Sequence, residues 1–176
     1  MVAHHRPARP RPGAASPSLE QRVQPSQARA RQTLDNILEV TALLLDEVGI
    51  DALTTNLVAR RGRIPIRSAY RYFPTKYAIV AALWQRMLSE WDAWLEPGLA
   101  RIATPGTPWL AVLDEMYRAY SRWLARRQGA WVIRRALQAV PELGELTAAG
   151  DKLFAERFAA ALRQRGVRER QAQLRL

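Results

Sequence analysis

The chain has 176 residues, a formal net charge of +11, eleven prolines, nine glycines and no cysteine. This length permits one domain, or a small domain plus a second helical one, with enough chain to bury a core. The missing cysteines exclude disulfides, thiolate metal sites and cysteine nucleophiles. The two histidines, His4 and His5, stand side by side near the N-terminus, so no histidine-based catalytic or metal site is expected and no cofactor is implied. The longest purely apolar run, Ala78 to Trp84, is far too short to span a bilayer. With no apolar signal core at the N-terminus, the chain reads as cytoplasmic. Alternating strand patterns are absent and Ala, Leu and Arg dominate, so the expected fold class is all-α.

Residues 1–25 carry five prolines, four arginines and a single acid, Glu20, a composition that predicts a disordered basic arm. Such an arm either adds phosphate contacts or is a solvated leader. Ser26 is a candidate cap for a first helix running to about Val48. Its apolar face comprises Leu34, Ile37, Leu38, Leu44, Leu45 and Val48, with Thr41 keeping the step, and Gly49 is the expected stop. Arg29 and Arg31 at its start are either phosphate contacts or solvated charges.

The next stretch, Thr54 to Lys76, holds six basic residues and no acid. The overall charge does not single it out. Residues 1–76 hold 12 basic and 6 acidic side chains, and residues 77–176 hold 15 and 10. The acid-free window does, because a polyanion is met best where no carboxylate opposes it. Thr54 is the expected N-cap of a short helix from Thr55 to Arg61, and Thr55 and Asn56 begin it, where free N–H groups suit a phosphate. Val58 and Ala59 face inward, the helix ends near Gly62, Ile64 belongs to the core, and Pro65 opens a second short helix, Ile66 to Phe73. Two short helices a few residues apart predict a helix-turn-helix. On the second, Ala69 and Phe73 pack inward, leaving Ile66, Arg67, Ser68, Tyr70 and Arg71 outside. Arg67 suits a bidentate contact to guanine, and Ile66 suits a thymine methyl. Tyr70, Arg71 and Tyr72 are expected at the backbone. Each also has a plain packing or solubility reading.

Residues 49–83, GIDALTTNLVARRGRIPIRSAYRYFPTKYAIVAAL, resemble the DNA-binding domain of the TetR family of bacterial transcriptional regulators. The matching positions are Gly49, Thr54, Thr55, Val58, Ala59, Ile64, Tyr70, Tyr72, Phe73 and Lys76; with the first helix the likeness covers roughly 26–83. The resemblance implies a DNA-binding transcriptional regulator, a ligand-responsive repressor acting as a homodimer on a palindromic double-stranded operator, with Lys76 at a phosphate. Two positions depart from the family pattern. The turn has Gly62-Arg63 where the family usually has Ala-Gly, so an arginine falls where a positive φ is often used, at a strain cost. Pro65 replaces the usual Ser or Thr.

A long helix is expected from Thr75 or Lys76 to about Glu96, with the apolar line Val80, Trp84, Met87, Trp91 and Trp94. Pro97, Gly98, Pro105, Gly106 and Pro108 predict a broken loop. Trp109 to about Arg127 and Ala130 to Val140 follow as helices; Pro141 and Gly144 interrupt; the last clear helix runs from about Leu146 to Arg165, ended by Gly166. All six tryptophans lie between residues 84 and 131. They are either bundle core or the lining of a pocket for an apolar or cationic small molecule. The pocket candidates are Trp84, Met87, Trp91, Met116, Tyr120 and Trp123.

The expected organisation is an arm at 1–25, a DNA-binding domain at 26–75 and a helical ligand-binding and dimerisation domain at 76–176. Val167 to Leu176 reads as the beginning of a further helix, so by comparison with the family the bundle is expected to be shortened at its C-terminal end. That leaves a second reading open: a protein-interaction module without specific operator binding. No catalytic motif supports an enzyme.

Overall fold

A computed structural model describes residues 18–22 and 27–167. The described residues form seven α-helices. They are α1 (Ala28–Ala52), α2 (Thr55–Arg61), α3 (Ile66–Tyr72), α4 (Lys76–Ala103), α5 (Trp109–Arg126), α6 (Ala130–Ala139) and α7 (Pro141–Gln164). The all-α expectation holds. The predicted cap Ser26, most of the N-terminal arm and the segment after residue 167 lie outside the described residues.

The first helix buries Ile37, Leu38, Ala42, Leu44 and Leu45, with Thr41 between them donating its hydroxyl to the Ile37 carbonyl at 2.7 Å. That bond lets a polar side chain sit in the core. Val48, expected on this face, is exposed. The helical path breaks at Gly49, with φ 73° and ψ 178°, where the sequence places the stop. The α2 and α3 bounds match the two short helices read from the sequence to within a residue.

Two expectations fail in the body, both at prolines and glycines. The helix begun at Lys76 does not break at Pro97-Gly98 but continues to Ala103. Leu95, Leu99, Ile102 and Ala103 bury themselves against Val112 and Met116 of α5 and Ala161 of α7. This burial outweighs the hydrogen bond lost at Pro97. Gly98 lets the two helices close: a Cβ there would stand 2.5 Å from the Met116 sulfur. Likewise Pro141 and Gly144 do not interrupt. Pro141 opens α7 in the first turn, where its absent N–H is not needed, and Gly144 lies inside that helix.

A single main core joins the head to the body. Ile37, Leu38 and Leu45 of α1, Val58 of α2, and Tyr72 and Phe73 share it with Ile79, Leu83 and Trp84 of α4, Leu124 of α5, Ile133 and Leu137 of α6, and Leu143 of α7. Residues 18–22, assigned from sequence to the arm, lie against this head. Leu19 packs on the core, the Arg22 N–H donates to the Tyr72 carbonyl at 2.9 Å, and the Thr75 hydroxyl donates to the Ser18 carbonyl at 3.2 Å.

Candidate nucleic-acid interface

The head is built from α2 and α3 resting on α1. Thr54 accepts the Leu57 N–H on its hydroxyl at 3.0 Å and so starts α2. Val58 and Ala59 are fully buried, fixing which face of α2 turns inward. The turn that follows is held from two sides. The Ile64 N–H reaches back to the Ala59 carbonyl at 2.8 Å, and the Asn36 amide of α1 donates to the Gly62 carbonyl at 3.0 Å. Arg63 sits at φ 51°, so the strain expected from the sequence is present. Pro65 is the residue before α3 rather than its first residue. Its carbonyl accepts the Ser68 and Ala69 N–H groups at 2.8 and 3.2 Å.

Ala69 and Phe73 are fully buried, which orients α3. Ile66 is left 52% exposed and Tyr70 41% exposed, with Arg67 and Arg71 also on the outside and Ser68 half-buried. An exposed isoleucine beside an exposed arginine and tyrosine is poor packing but a usable face toward base edges. Asn56 at the start of α2 is exposed too.

Three of the sequence-derived residues stand differently. Tyr72 is 1% exposed: its ring belongs to the core, and the Arg71 guanidinium donates to its hydroxyl at 3.1 Å and lies over its ring at 5.0 Å. It packs inward rather than standing on the outer face of α3, with Arg71 covering its hydroxyl. Thr55 is only 5% exposed, since α2 turns its side chain toward the core. Lys76 is half-buried, and its ammonium donates to the Ile50 and Asp51 carbonyls at 2.9 and 3.1 Å. It closes the end of α1, leaving one N–H for another acceptor.

The fold places two further cations on this head. Arg60 and Arg63 are exposed, and neither has an ion pair among the described residues, whereas Arg61 is tied to Glu47 at 2.6 Å. Their signal in the sequence is the absence of any acid between Thr54 and Lys76. Arg67 is likewise without an ion pair among the described residues. Guanidiniums free of carboxylates on one small surface are the electrostatic footprint of a polyanion site.

The six pocket candidates do not line one cavity. Trp84 and Met87 are buried in the main core, and Met116 belongs to a second core with Leu95, Leu99 and Ile102. Trp91, Tyr120 and Trp123 do come together. Trp91 is 4.9 Å from Tyr120 edge-on and 5.7 Å from Trp123, and Trp94, absent from the sequence list, stacks on Trp91 at 4.6 Å. Burial raises the Tyr120 phenol above its ordinary range, Arg134 opposing and Asp151 adding to the effect, so the ring meets its neighbours neutral. No group of acidic or histidine side chains among the described residues could hold a metal ion, and no described helix is long and apolar enough to cross a membrane.

The comparisons with known proteins agree with this head. Residues 37–83 match the family model of bacterial regulatory proteins of the tetR family. A TetR-family transcriptional regulator from Streptomyces coelicolor has a similar fold, with a TM-score of 0.50 at 24% identity over 84% of this chain and 75% of that one. A second TetR-family regulator from the same organism aligns at 30% identity over 78% of this chain and 98% of that one, with a TM-score of 0.36. No curated protein matches. The matched residues 37–83 run from the core of α1 through α2 and α3 into α4, and they carry the exposed reading face: this chain belongs to the TetR family of DNA-binding transcriptional regulators.

Proposed function

We propose that the protein is a repressor that binds a palindromic operator as a homodimer and is released by a small molecule. The observation that carries the reading is the exposed face of α3, where Ile66, Arg67 and Tyr70 stand clear of the core, on a head that also exposes Arg60 and Arg63 with no ion pair among the described residues. Affinity comes from phosphate contacts by Asn56, Arg60, Arg63, Arg71 and the remaining Lys76 N–H, with the Thr54 end of α2 facing the same backbone. Sequence choice comes from Ile66, Arg67 and Ser68 at base edges, with Arg67 on a guanine. Tyr70 sits between the two sets and contacts the backbone.

A dimer of such heads reads two half-sites about one helical turn, roughly 34–36 Å, apart. The exposed Leu153 and Phe154 on α7 support a second copy as their cover, because exposed apolar side chains of this size at adjacent positions are otherwise a liability. A ligand weakens operator binding only by favouring a different head spacing. The core shared by α1, α4 and α6 supports that coupling, since residues of the head and of the body pack in one cluster.

The experiment is binding of genomic DNA fragments by the full chain, with a salt titration and an Arg67→Ala/Tyr70→Ala control. Selective retention of a fragment with a symmetric site, lost in the double variant, is the expected result. Sequence-blind, salt-fragile binding that the variant leaves unchanged overturns it. Sedimentation of the free protein as a monomer at micromolar concentration argues instead for an interaction module.

A further inference from the structure

The aromatic cluster of α4 and α5 opens outward, and arginines rim it. Trp91, Trp94 and Trp123 line a recess of about 390 Å³ together with Arg122, Arg126 and Arg127 and one acid, Glu90. This volume lies within the roughly 300–1,000 Å³ of small-molecule sites. Glu90 is engaged by Arg127, whose guanidinium also lies 5.9 Å over the Trp123 ring. Arg122 and Arg126 have no ion pair among the described residues. They lie one helical turn apart on the same side of α5, where like charges repel. An anion between them relieves that repulsion. Trp94, 42% exposed, leaves an indole face open to stack on a flat ring.

We propose that this recess binds a planar aromatic carboxylate. The ring lies on the Trp91–Trp94 stack, and the carboxylate bridges the Arg122 and Arg126 guanidiniums. Arginine forks match a carboxylate bidentately, which an ammonium cannot exploit. The tryptophans alone suit an apolar or a cationic molecule; the arginines around them favour an anionic group on an aromatic one. The proposal rests on the reading of the body as an effector domain and names the effector's chemistry. It also supplies a route to the head. A carboxylate in the recess competes with Glu90 for Arg127, and two residues further on the Gly129 N–H is held by Asp46 of α1 at 2.9 Å.

The test is calorimetric titration of the full chain with 2-naphthoate and, separately, with 2-naphthylmethylammonium, which has the same ring system and the opposite charge. Naphthoate is expected to saturate one site and to bind at least about tenfold tighter than the ammonium. Arg122→Gln/Arg126→Gln is expected to weaken naphthoate about tenfold or more with unchanged thermal unfolding, because both side chains are on the surface; Trp94→Ala is expected to weaken it similarly, with a modest loss of stability from the lost stack on Trp91. Equal or tighter binding of the ammonium overturns the proposal. So does naphthoate binding that the arginine variant leaves intact, the absence of naphthoate binding at millimolar concentration, or arginine-dependent binding to anionic lipid vesicles in place of naphthoate. A parallel titration of the DNA complex separates the two readings: saturable naphthoate binding with unchanged DNA affinity supports the recess and overturns release by ligand.

Discussion

The Asp46 carboxylate of α1 accepts the Gly129 N–H at 2.9 Å, so a side chain of the head holds the residue from which the body helix α6 starts. Gly129 holds a φ of 73°, and a Cβ on it would stand 3.0 Å from the Ala42 carbonyl oxygen and 3.2 Å from the Ala42 Cα. Both obstacles are backbone and cannot swing away. Gly129→Ala is expected to cost about 2–4 kcal/mol from strained φ and overpacking. Asp46→Ala, which removes only the cap, should cost about 0.5–2 kcal/mol. Chemical unfolding of the two variants checks the order; an Asp46→Ala loss exceeding that of Gly129→Ala would contradict it.

Lys76 is expected to act on stability through the end of α1. Lys76→Met removes the two bonds to the Ile50 and Asp51 carbonyls and should lower unfolding free energy by about 1 kcal/mol or somewhat more. Its effect on the salt dependence of DNA binding should stay below that of losing Arg60, since most of its donors are already used. Equal changes in the two salt slopes would overturn that order and make the phosphate contact, not the end of α1, the main role of the ammonium.

Arg63 offers a trade between stability and binding. Its φ of 51° costs about 1–2 kcal/mol in a non-glycine residue. Arg63→Gly relieves that but makes the unfolded chain more flexible, so a net gain of about 0.5–1 kcal/mol is expected. The same change should weaken DNA binding at low salt and flatten its salt dependence by about one unit, if the guanidinium meets a phosphate. Thermal unfolding and DNA titration on one preparation read both arms.

Tyr72 separates packing from contact. Tyr72→Phe keeps the buried ring and loses only the bond from Arg71, so stability should fall by less than about 1 kcal/mol and DNA affinity should hold. Tyr72→Ala leaves a core cavity and should cost about 3–5 kcal/mol. A large loss of operator affinity in a fully folded Tyr72→Phe protein would return Tyr72 to the interface.

Arg67 and Arg60 should differ in kind. Arg67→Ala is expected to cost about 1–3 kcal/mol on the preferred site and to relax the choice of base at one position of each half-site. Arg60→Ala should weaken all sequences alike and reduce the salt slope by about one. Binding to a set of single-base operator variants at two salt concentrations distinguishes them.

Much of the head was legible in the sequence because its signals are local. Thr54 and Gly49 punctuate helices through their own backbone and hydroxyl chemistry, and the spacing of Ala69 and Phe73 decides which side of α3 faces out. The strain at Arg63 was foreseeable from the family's turn, because a positive φ is a property of one residue. The acid-free run from Thr54 to Lys76 pointed to the polyanion face without any knowledge of its neighbours.

Tertiary structure decided what depends on partners distant in sequence. Pro97 and Gly98 look like a break until Met116 is packed against Gly98, after which the burial of Leu99 and Ile102 keeps α4 running. Tyr72 looks like a surface aromatic until the core closes over it and Arg71 covers its hydroxyl. The tryptophans by themselves suit an apolar or a cationic molecule, and only α5 brings Arg122 and Arg126 beside them, on which the proposed anion site rests. Capping, turn chemistry and charge are properties of a few adjacent residues and can be read in one dimension. Burial and the sign of a binding site are sums over side chains that only folding brings together.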